Sequence, residues 1–159
     1  MLTNAASEPR YLLLLACSQR KRIDPGLLPA IERYDGVNFR VLQKAKREGY
    51  LPENLDILIL SAKYGLIEAS TLIEHYDQKM TNQRAKELQV DVSRRLDKFL
   101  SRTLYDEILV NLGKIYLTTI ASSNRISLLN EKVIYATGGI GQKMSQMKLW
   151  LRHITESCR

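Results

Sequence analysis

Four short apolar runs punctuate the chain, at residues 11–16 (YLLLLA), 56–60 (DILIL), 107–112 (EILVNL) and 132–136 (KVIYA). Each is too short for a helix and too continuously apolar for a strand with one wet face, which predicts strands buried on both sides. Such strands build parallel sheets, whose neighbours must be joined by helical crossovers. The intervening segments have that spacing. Val37, Val41, Leu42 and Ala45 form a stripe that stops at Gly49, with Pro52 beyond it. Ala85, Leu88, Val92, Leu96 and Phe99 recur at intervals of three and four behind a Thr81 N-cap, the strongest helical signal in the chain. A weaker helix is expected from about Lys114 into residues 121–124, with Ile115 and Ile120 facing inward. A fourth follows Gly141, with Met144, Met147, Leu151 and Ile154 inward, Trp150 on its edge and the methionines filling core.

The alternation of strand and helix predicts one α/β domain over residues 1–159, a three-layer α/β/α sandwich with about four parallel strands. Residues 1–9 read as a frayed tail. Residues 23–38, with Pro25, Gly26, Pro29 and Gly36, form the longest irregular connection, the kind that often serves binding.

Composition narrows the class. The 159 residues are 45% hydrophobic and 26% charged, which excludes a wholly disordered or fibrous chain. The apolar runs are far below the ~20 residues that cross a bilayer, and no signal-peptide layout is visible, so no membrane association and a cytoplasmic setting are expected. Two cysteines, Cys17 and Cys158, offer neither a disulfide framework nor structural zinc spacing. No metal and no cofactor are implied, because the strand ends carry few carboxylates and His75 has no clear companion. An excess of 24 Lys+Arg over 17 Asp+Glu, net +7, suggests an anionic partner, a nucleotide or nucleic acid. Residues 17–50 hold eight cations against four acids, and residues 79–102 seven against three. The second group lies along a helix, where a solvated face is the simpler expectation.

Open α/β sheets bind ligands at the carboxyl ends of their strands, so the residues after each run are the candidates. After the first come Cys17 and Ser18, then Gln19 and the cations Arg20, Lys21 and Arg22. These form a plausible anion cradle, with a small buried packer and a solvated charge run as the alternative. Cys17 could also be a nucleophile beside those cations, though no base is evident. After the second come Ser61, Lys63, Tyr64 and Gly65, then Tyr76 and Asp77. Ser61 and Lys63 could contact a reacting group, Asp77 could serve as general base, and Gly65 could let backbone approach a ligand. Tyr34, Tyr64 or Tyr76 could stack a base, or simply pack. After the third, Asn111 could read an amide edge or satisfy backbone. After the fourth, Gly138, Gly139, Gly141 and Gln142 open a helix whose free N–H groups and dipole suit a phosphate. The spacing matches neither a P-loop nor a dinucleotide fingerprint.

Taken together, Cys17-Ser18-Gln19-Arg20-Lys21, Ser61-Ala62-Lys63-Tyr64-Gly65-Leu66, Tyr76-Asp77 and Gly139-Ile140-Gly141-Gln142 resemble an uncharacterised family of small bacterial and archaeal domains. The resemblance spans about residues 11 to 152. Such domains are labelled as similar to the peroxide-stress YaaA proteins and more distantly resemble the core domain of archaeosine synthases, which act on a modified base in tRNA. The expected parallel sheet is also similar to that of uracil-DNA glycosylases. The chain lacks a Gly-Gln-Asp-Pro-Tyr-type motif after the first strand and a His-Pro-Ser motif after the last, so glycosylase activity does not carry over. What the resemblance implies is a pocket for a nucleobase, nucleotide or nucleic acid. The expectation is therefore an enzyme of nucleotide or nucleic-acid metabolism, acting at a nucleobase or N-glycosidic bond. The alternative is a non-catalytic DNA- or RNA-binding module, in a stress setting if the YaaA likeness extends so far.

Overall fold

A computed structural model describes residues 8–157 of the chain. Strand β1 (Tyr11–Ala16) is followed by a two-residue strand β2 (Leu28–Pro29), a single-turn helix α1 (Ala30–Arg33) and helix α2 (Val37–Glu48). Next come β3 (Leu55–Ser61), β4 (Gly65–Glu68), β5 (Leu72–Ile73) and the long helix α3 (Asn82–Arg102). The last third holds β6 (Glu107–Asn111), α4 (Lys114–Ile120), α5 (Asn124–Leu128), a 3-10 turn (Asn130–Lys132), β7 (Val133–Tyr135) and α6 (Ile140–Ser157). Among the described residues no helix is long and apolar enough to cross a membrane.

The main sheet has the order β4-β3-β1-β6-β7. Its four expected strands run parallel, with Leu13 opposite Ile57 on one side and Leu109 on the other. Because successive side chains of a strand point to opposite faces, β1 feeds two cores at once. Tyr11, Leu13 and Leu15 meet Phe39, Leu42, Met147, Trp150, Leu151 and Ile154 of α2 and α6. Leu12 and Leu14 meet Leu88, Val92, Leu96, Ile120 and Ile126 of α3, α4 and α5. The result is a three-layer α/β sandwich.

Several details differ from the pattern along the chain. Residues 65–68 add a fifth strand, antiparallel to β3, because the short turn after Ser61 folds the chain directly back. Strand β7 is an edge, so Ile134 and Tyr135 are exposed rather than enclosed. Val37 also points to solvent and Phe39 takes its inward place. The third helix breaks at residues 121–123, where the Ser123 hydroxyl accepts from the Ile126 N–H and starts α5 afresh. Thr81 does cap α3, its hydroxyl accepting from the Arg84 N–H at 3.0 Å. Residues 1–7 of the expected tail and Cys158 lie outside the described residues. Pro9 and Arg10 are tied down: the Pro9 carbonyl accepts from Asn54, and Arg10 pairs with Asp56 at 2.8 Å.

The long connection of residues 23–38 is ordered around a buried cation. Strand β2 pairs antiparallel with β5, outside the main sheet. Beside it the fully buried Arg33 donates from Nη1 to the carbonyls of Arg22 and Asp24, at 2.7 and 2.9 Å. Its Nη2 donates to Gly26 at 2.6 Å and Ile73 at 3.4 Å. The guanidinium thus staples one irregular segment to another through backbone oxygens. Next to it the fully buried Tyr34 shares a hydroxyl hydrogen bond of 2.7 Å with Tyr76, and Tyr76 one of 3.0 Å with Ser61 at the end of β3. Burial, as the largest cause, pushes the phenols of Tyr34, Tyr76, Tyr105 and Tyr116 above the ordinary tyrosine range.

Two outcomes are expected. Arg33→Met takes the donor from four carbonyls, that of Ile73 buried and those of Arg22, Asp24 and Gly26 partly exposed, and denaturant unfolding should show a loss of about 2 kcal/mol; a loss within experimental error would refute the staple. For the four phenols, the unfolded chain releases its protons near pH ~10, before the folded one does. Their contribution to stability is complete below that pH and declines as pH rises toward the folded values. In a phenolate absorbance titration about half of the eight tyrosines should therefore ionise only as the protein unfolds.

Candidate functional site

The crossovers decide where a ligand can sit. From β1 the chain moves through α2, on one face, to β3; from β6 it moves through α4 and α5, on the other face, to β7. The connections therefore leave adjacent strands β1 and β6 in opposite directions and open a crevice above their carboxyl ends. A cavity of about 250 Å³ lies there. Cys17 and Ser18 line it from β1, Asn111 from β6, Tyr116 from α4, and Ile140 and Lys143 from α6. The first residues of α2, Gly36 to Phe39, close the remaining side. A smaller groove of about 190 Å³, lined in part by Gln19, Gln78 and Lys79, adjoins it across Cys17, Ser18 and Tyr116.

Local bonding shapes the cavity wall. The Ser18 hydroxyl donates to the Arg20 carbonyl at 2.6 Å and accepts from the Gly36 N–H at 3.1 Å, closing the loop after β1 onto the N-terminus of α2. Gly36 is required there, because a Cβ would lie 2.6 Å from Ser18 Cβ. Cys17 Sγ lies 3.3 Å from the Tyr116 hydroxyl, a contact between residues 99 apart in sequence. Asn111 is 3% exposed, and among the described residues its Nδ2 has the Met147 sulfur, at 3.5 Å, as its acceptor. Asn38 Oδ1 is buried with no partner among the described residues. Lys143 Nζ donates to the Leu112 carbonyl at 3.3 Å, which holds the ammonium at the cavity. The wall therefore combines a cation, two carboxamides, a thiol and the first turns of α2 and α6, whose leading N–H groups lack partners within their helices.

The glycine turn contributes differently from the expectation drawn from its sequence. Gly138 has φ +90°, and Gln142 packs where its Cβ would stand. Gln142 Oε1 accepts from the Gly139 N–H at 2.8 Å, a side chain in the first turn reaching back to cap its own helix. The Gly139 N–H is thus already taken, and Gly138, Gly139, Gly141 and Gln142 orient α6 while Ile140 and Lys143 face the cavity.

The other candidates gather on the far flank of Cys17, around Tyr76. Ser61 is fully buried, its Oγ accepting from the N–H groups of Lys63 and Tyr64, so it shapes the turn instead of facing a ligand. Arg84 braces the same turn by donating to the carbonyls of Ala62 and Lys63, at 2.7 and 2.9 Å. Gly65 opens β4 against Val92 of α3, away from both cavities. Tyr34 and Tyr76 are enclosed, edge to face with each other, and Tyr76 likewise with Tyr64, so the first two rings offer no open face for a base. Lys63 is exposed, its Nζ 5.3 Å from the Tyr64 ring centre, and Asp77 is exposed as well.

The three successive cations separate. Lys21 forms an isolated bridge with Tyr34, so the backbone is extended and its neighbours point the other way. Arg20 pairs with Asp35 at 3.5 Å and Arg22 with Asp24 at 2.9 Å, both toward solvent. The carboxyls of Asp35 and Asp24 are held below the ordinary range, chiefly by hydrogen bonds from Arg40 and Arg22 respectively. Lys21 turns inward, its Nζ 4.4 Å from the Tyr76 ring centre. Gly36 and Asn38, within the irregular connection of residues 23–38, and Tyr116, which the sequence did not single out, carry no local motif. They reach the cavity only through the crossovers.

Comparison with known proteins sets this site in context. No curated protein matches the sequence. A crystal structure described as that of AF0587, a protein of unknown function, superposes with a TM-score of 0.55 at 13% identity over 90% of this chain, and this chain spans 44% of that one. That likeness shows the fold alone. The sequence itself matches a family of unknown function, DUF6884, over residues 12–149. That stretch takes in every strand of the sheet and both sides of the crevice between β1 and β6, so the chain belongs to the DUF6884 family.

Proposed function

We propose that the chain is an enzyme of nucleotide or nucleic-acid metabolism, acting at a nucleobase or N-glycosidic bond of a ligand seated above β1 and β6. The observation that carries this proposal is the cavity itself: a crevice between oppositely directed crossovers, with a cation and two helix first turns on one wall and a buried carboxamide on another. Lys143 and the first turns of α2 and α6 suit a phosphate, and Asn111 offers both a donor and an acceptor to a base edge. With the adjoining groove, the space enters the ~300–1,000 Å³ range of small-molecule sites. The loop motifs resemble a family of small domains that is itself distantly similar to archaeosine synthase core domains, and this supports a base-bearing ligand. Asp77 and Lys63, the groups expected to transfer protons, are exposed on the Tyr76 flank and line neither the cavity nor the groove, and Ser61 shapes the turn that carries Lys63.

Less supports a module that merely grips a nucleic-acid backbone. Arg20 and Arg22 are neutralised by Asp35 and Asp24, and on α3 Arg84, Arg94 and Arg95 pair with Glu87 and Asp91. A continuous stripe of free cations is not formed by these residues.

The two readings separate in a thermal-shift screen of nucleobases, nucleosides, nucleotides and short oligonucleotides at low and high salt. A nucleotide at about a hundredfold excess over its Kd should stabilise by about 2.7 kcal/mol, a rise of roughly 5–10 °C for a chain of this size, with little salt dependence. Lys143→Met and Gly36→Ala should each remove the shift, the first by loss of the cation and the second by pushing Ser18 into the cavity. Stabilisation by oligonucleotides alone, falling steeply with salt, would point to the backbone-gripping module. A flat response to every compound would overturn both.

A further inference from the structure

The seam between α2 and α6 continues the cavity along the surface. Both helices start at the carboxyl ends of the strands and pack on the same face of the sheet. Val37 and Ile140 line the cavity at the two helix starts and are 50% and 73% exposed. Steps of four residues, which keep side chains on one helix face, lead from Val37 to Val41 and Ala45, and from Ile140 to Met144, Lys148 and Arg152. A second hollow, of about 110 Å³, opens there between the helices. Buried Val41, Ala45 and Leu151 form its floor, and Lys44, Lys148 and Arg152 stand on its rim. The cavity and the hollow therefore lie on one track. From Ile140 to Lys148 it runs about 12 Å, the length of three or four nucleotides at ~3.4 Å each.

The rim is cationic and largely unpaired. Lys44 and Lys148 are exposed, and among the described residues Lys148 has no ion-pair partner. Glu48, the acid on the rim, reaches Lys44 only at 4.0 Å. The Arg152 guanidinium stands 4.9 Å from the centre of the Tyr50 ring, an arginine–aromatic pair of the kind on which unstacked bases pack. On the opposite layer, by contrast, Arg84, Arg94 and Arg95 of α3 are engaged by Glu87 and Asp91. A nucleic-acid strand fits the track better than an acidic peptide, because cations recur beside apolar and aromatic surface from Lys143 at the cavity to Arg152, as phosphates and bases alternate along a strand.

We propose that the α2–α6 seam carries the strand that flanks a nucleotide seated in the cavity, so that the substrate is a base within single-stranded nucleic acid. This rests on the nucleotide reading of the cavity and narrows its ligand. Phosphates of the strand lie on Lys44, Lys148 and Arg152, and a neighbouring base packs against the Arg152–Tyr50 pair above the apolar floor.

Fluorescence anisotropy with labelled octanucleotides of mixed sequence tests the seam, with a DNA and an RNA arm to tell which polymer is preferred. An octanucleotide should bind about tenfold more tightly than the best mononucleotide, measured by competition. Lys44→Gln combined with Lys148→Gln should weaken the octanucleotide about tenfold, flatten its log–log salt slope by about 1.4 and leave mononucleotide affinity unchanged. Lys86→Gln combined with Lys98→Gln removes the same charge from exposed positions of α3 and should change neither. Oligoglutamate of equal charge should compete only weakly. Octanucleotides no tighter than mononucleotides, equal losses in the two double variants, or oligoglutamate competing as well as unlabelled oligonucleotide would each overturn the proposal. The nucleotide reading is decided separately, by mononucleotide binding and its loss in Lys143→Met. If no mononucleotide binds, that reading falls, and the contrast between the two double variants still decides the seam.

Discussion

Strand β1 is the constraint on which the rest depends. Leu12, Leu13, Leu14 and Leu15 are all fully enclosed, and β1 has a parallel neighbour on each side. A strand buried on both faces requires helices above and below, and the crossovers that leave β1 and β6 lie on opposite sides of the sheet. That arrangement creates the opening between β1 and β6. The cavity is thus a consequence of how the core is closed, and its walls are the loops that have to diverge there.

The same divergence explains why the wall is polar. Loops leaving buried strands carry backbone groups that need partners, and here these come from nearby side chains. Ser18 joins the β1 loop to α2, Gln142 caps α6 from within, and Arg84 holds the turn after β3. Arg33 does this at the largest scale, joining residues 22–26 to β5 through carbonyls alone. These side chains are engaged by the fold. The groups left with incomplete hydrogen bonding at the cavity, Asn38 and Asn111, are the ones that a ligand could complete.

Much of the architecture was legible in residue order. The apolar runs located the four parallel strands to within a residue at each end, and the spacing of Ala85, Leu88, Val92 and Leu96 located α3 with its Thr81 cap. Strand β4 was not legible, since Gly65-Leu66-Ile67-Glu68 is too short to show a period and becomes a strand only by pairing with β3. At the candidate site, Cys17, Ser18 and Asn111 reach one cavity, as their positions at strand ends imply. Tyr116 could not be anticipated, because it joins the cavity from another segment without a motif of its own, and Asn38 was legible only as the end of the irregular connection of residues 23–38.

Hydrophobic periodicity alone determined the layered α/β class, the parallel strands and the end of the sheet that carries polar loops, because burial on two faces leaves a direct trace in composition along the chain. Tertiary structure decided which polar residues remain available. Arg20, Lys21 and Arg22 are alike as a sequence, yet extended backbone and two nearby aspartates send the first and third to solvent and the second inward. Ser61 and the Gly138–Gly141 turn look equally open to a ligand until hydrogen bonds with Tyr76 and Gln142 engage them. The physical reason is the same in each case. Burial depends on local pattern, whereas the partner of a polar atom depends on what the fold brings within about 3 Å of it.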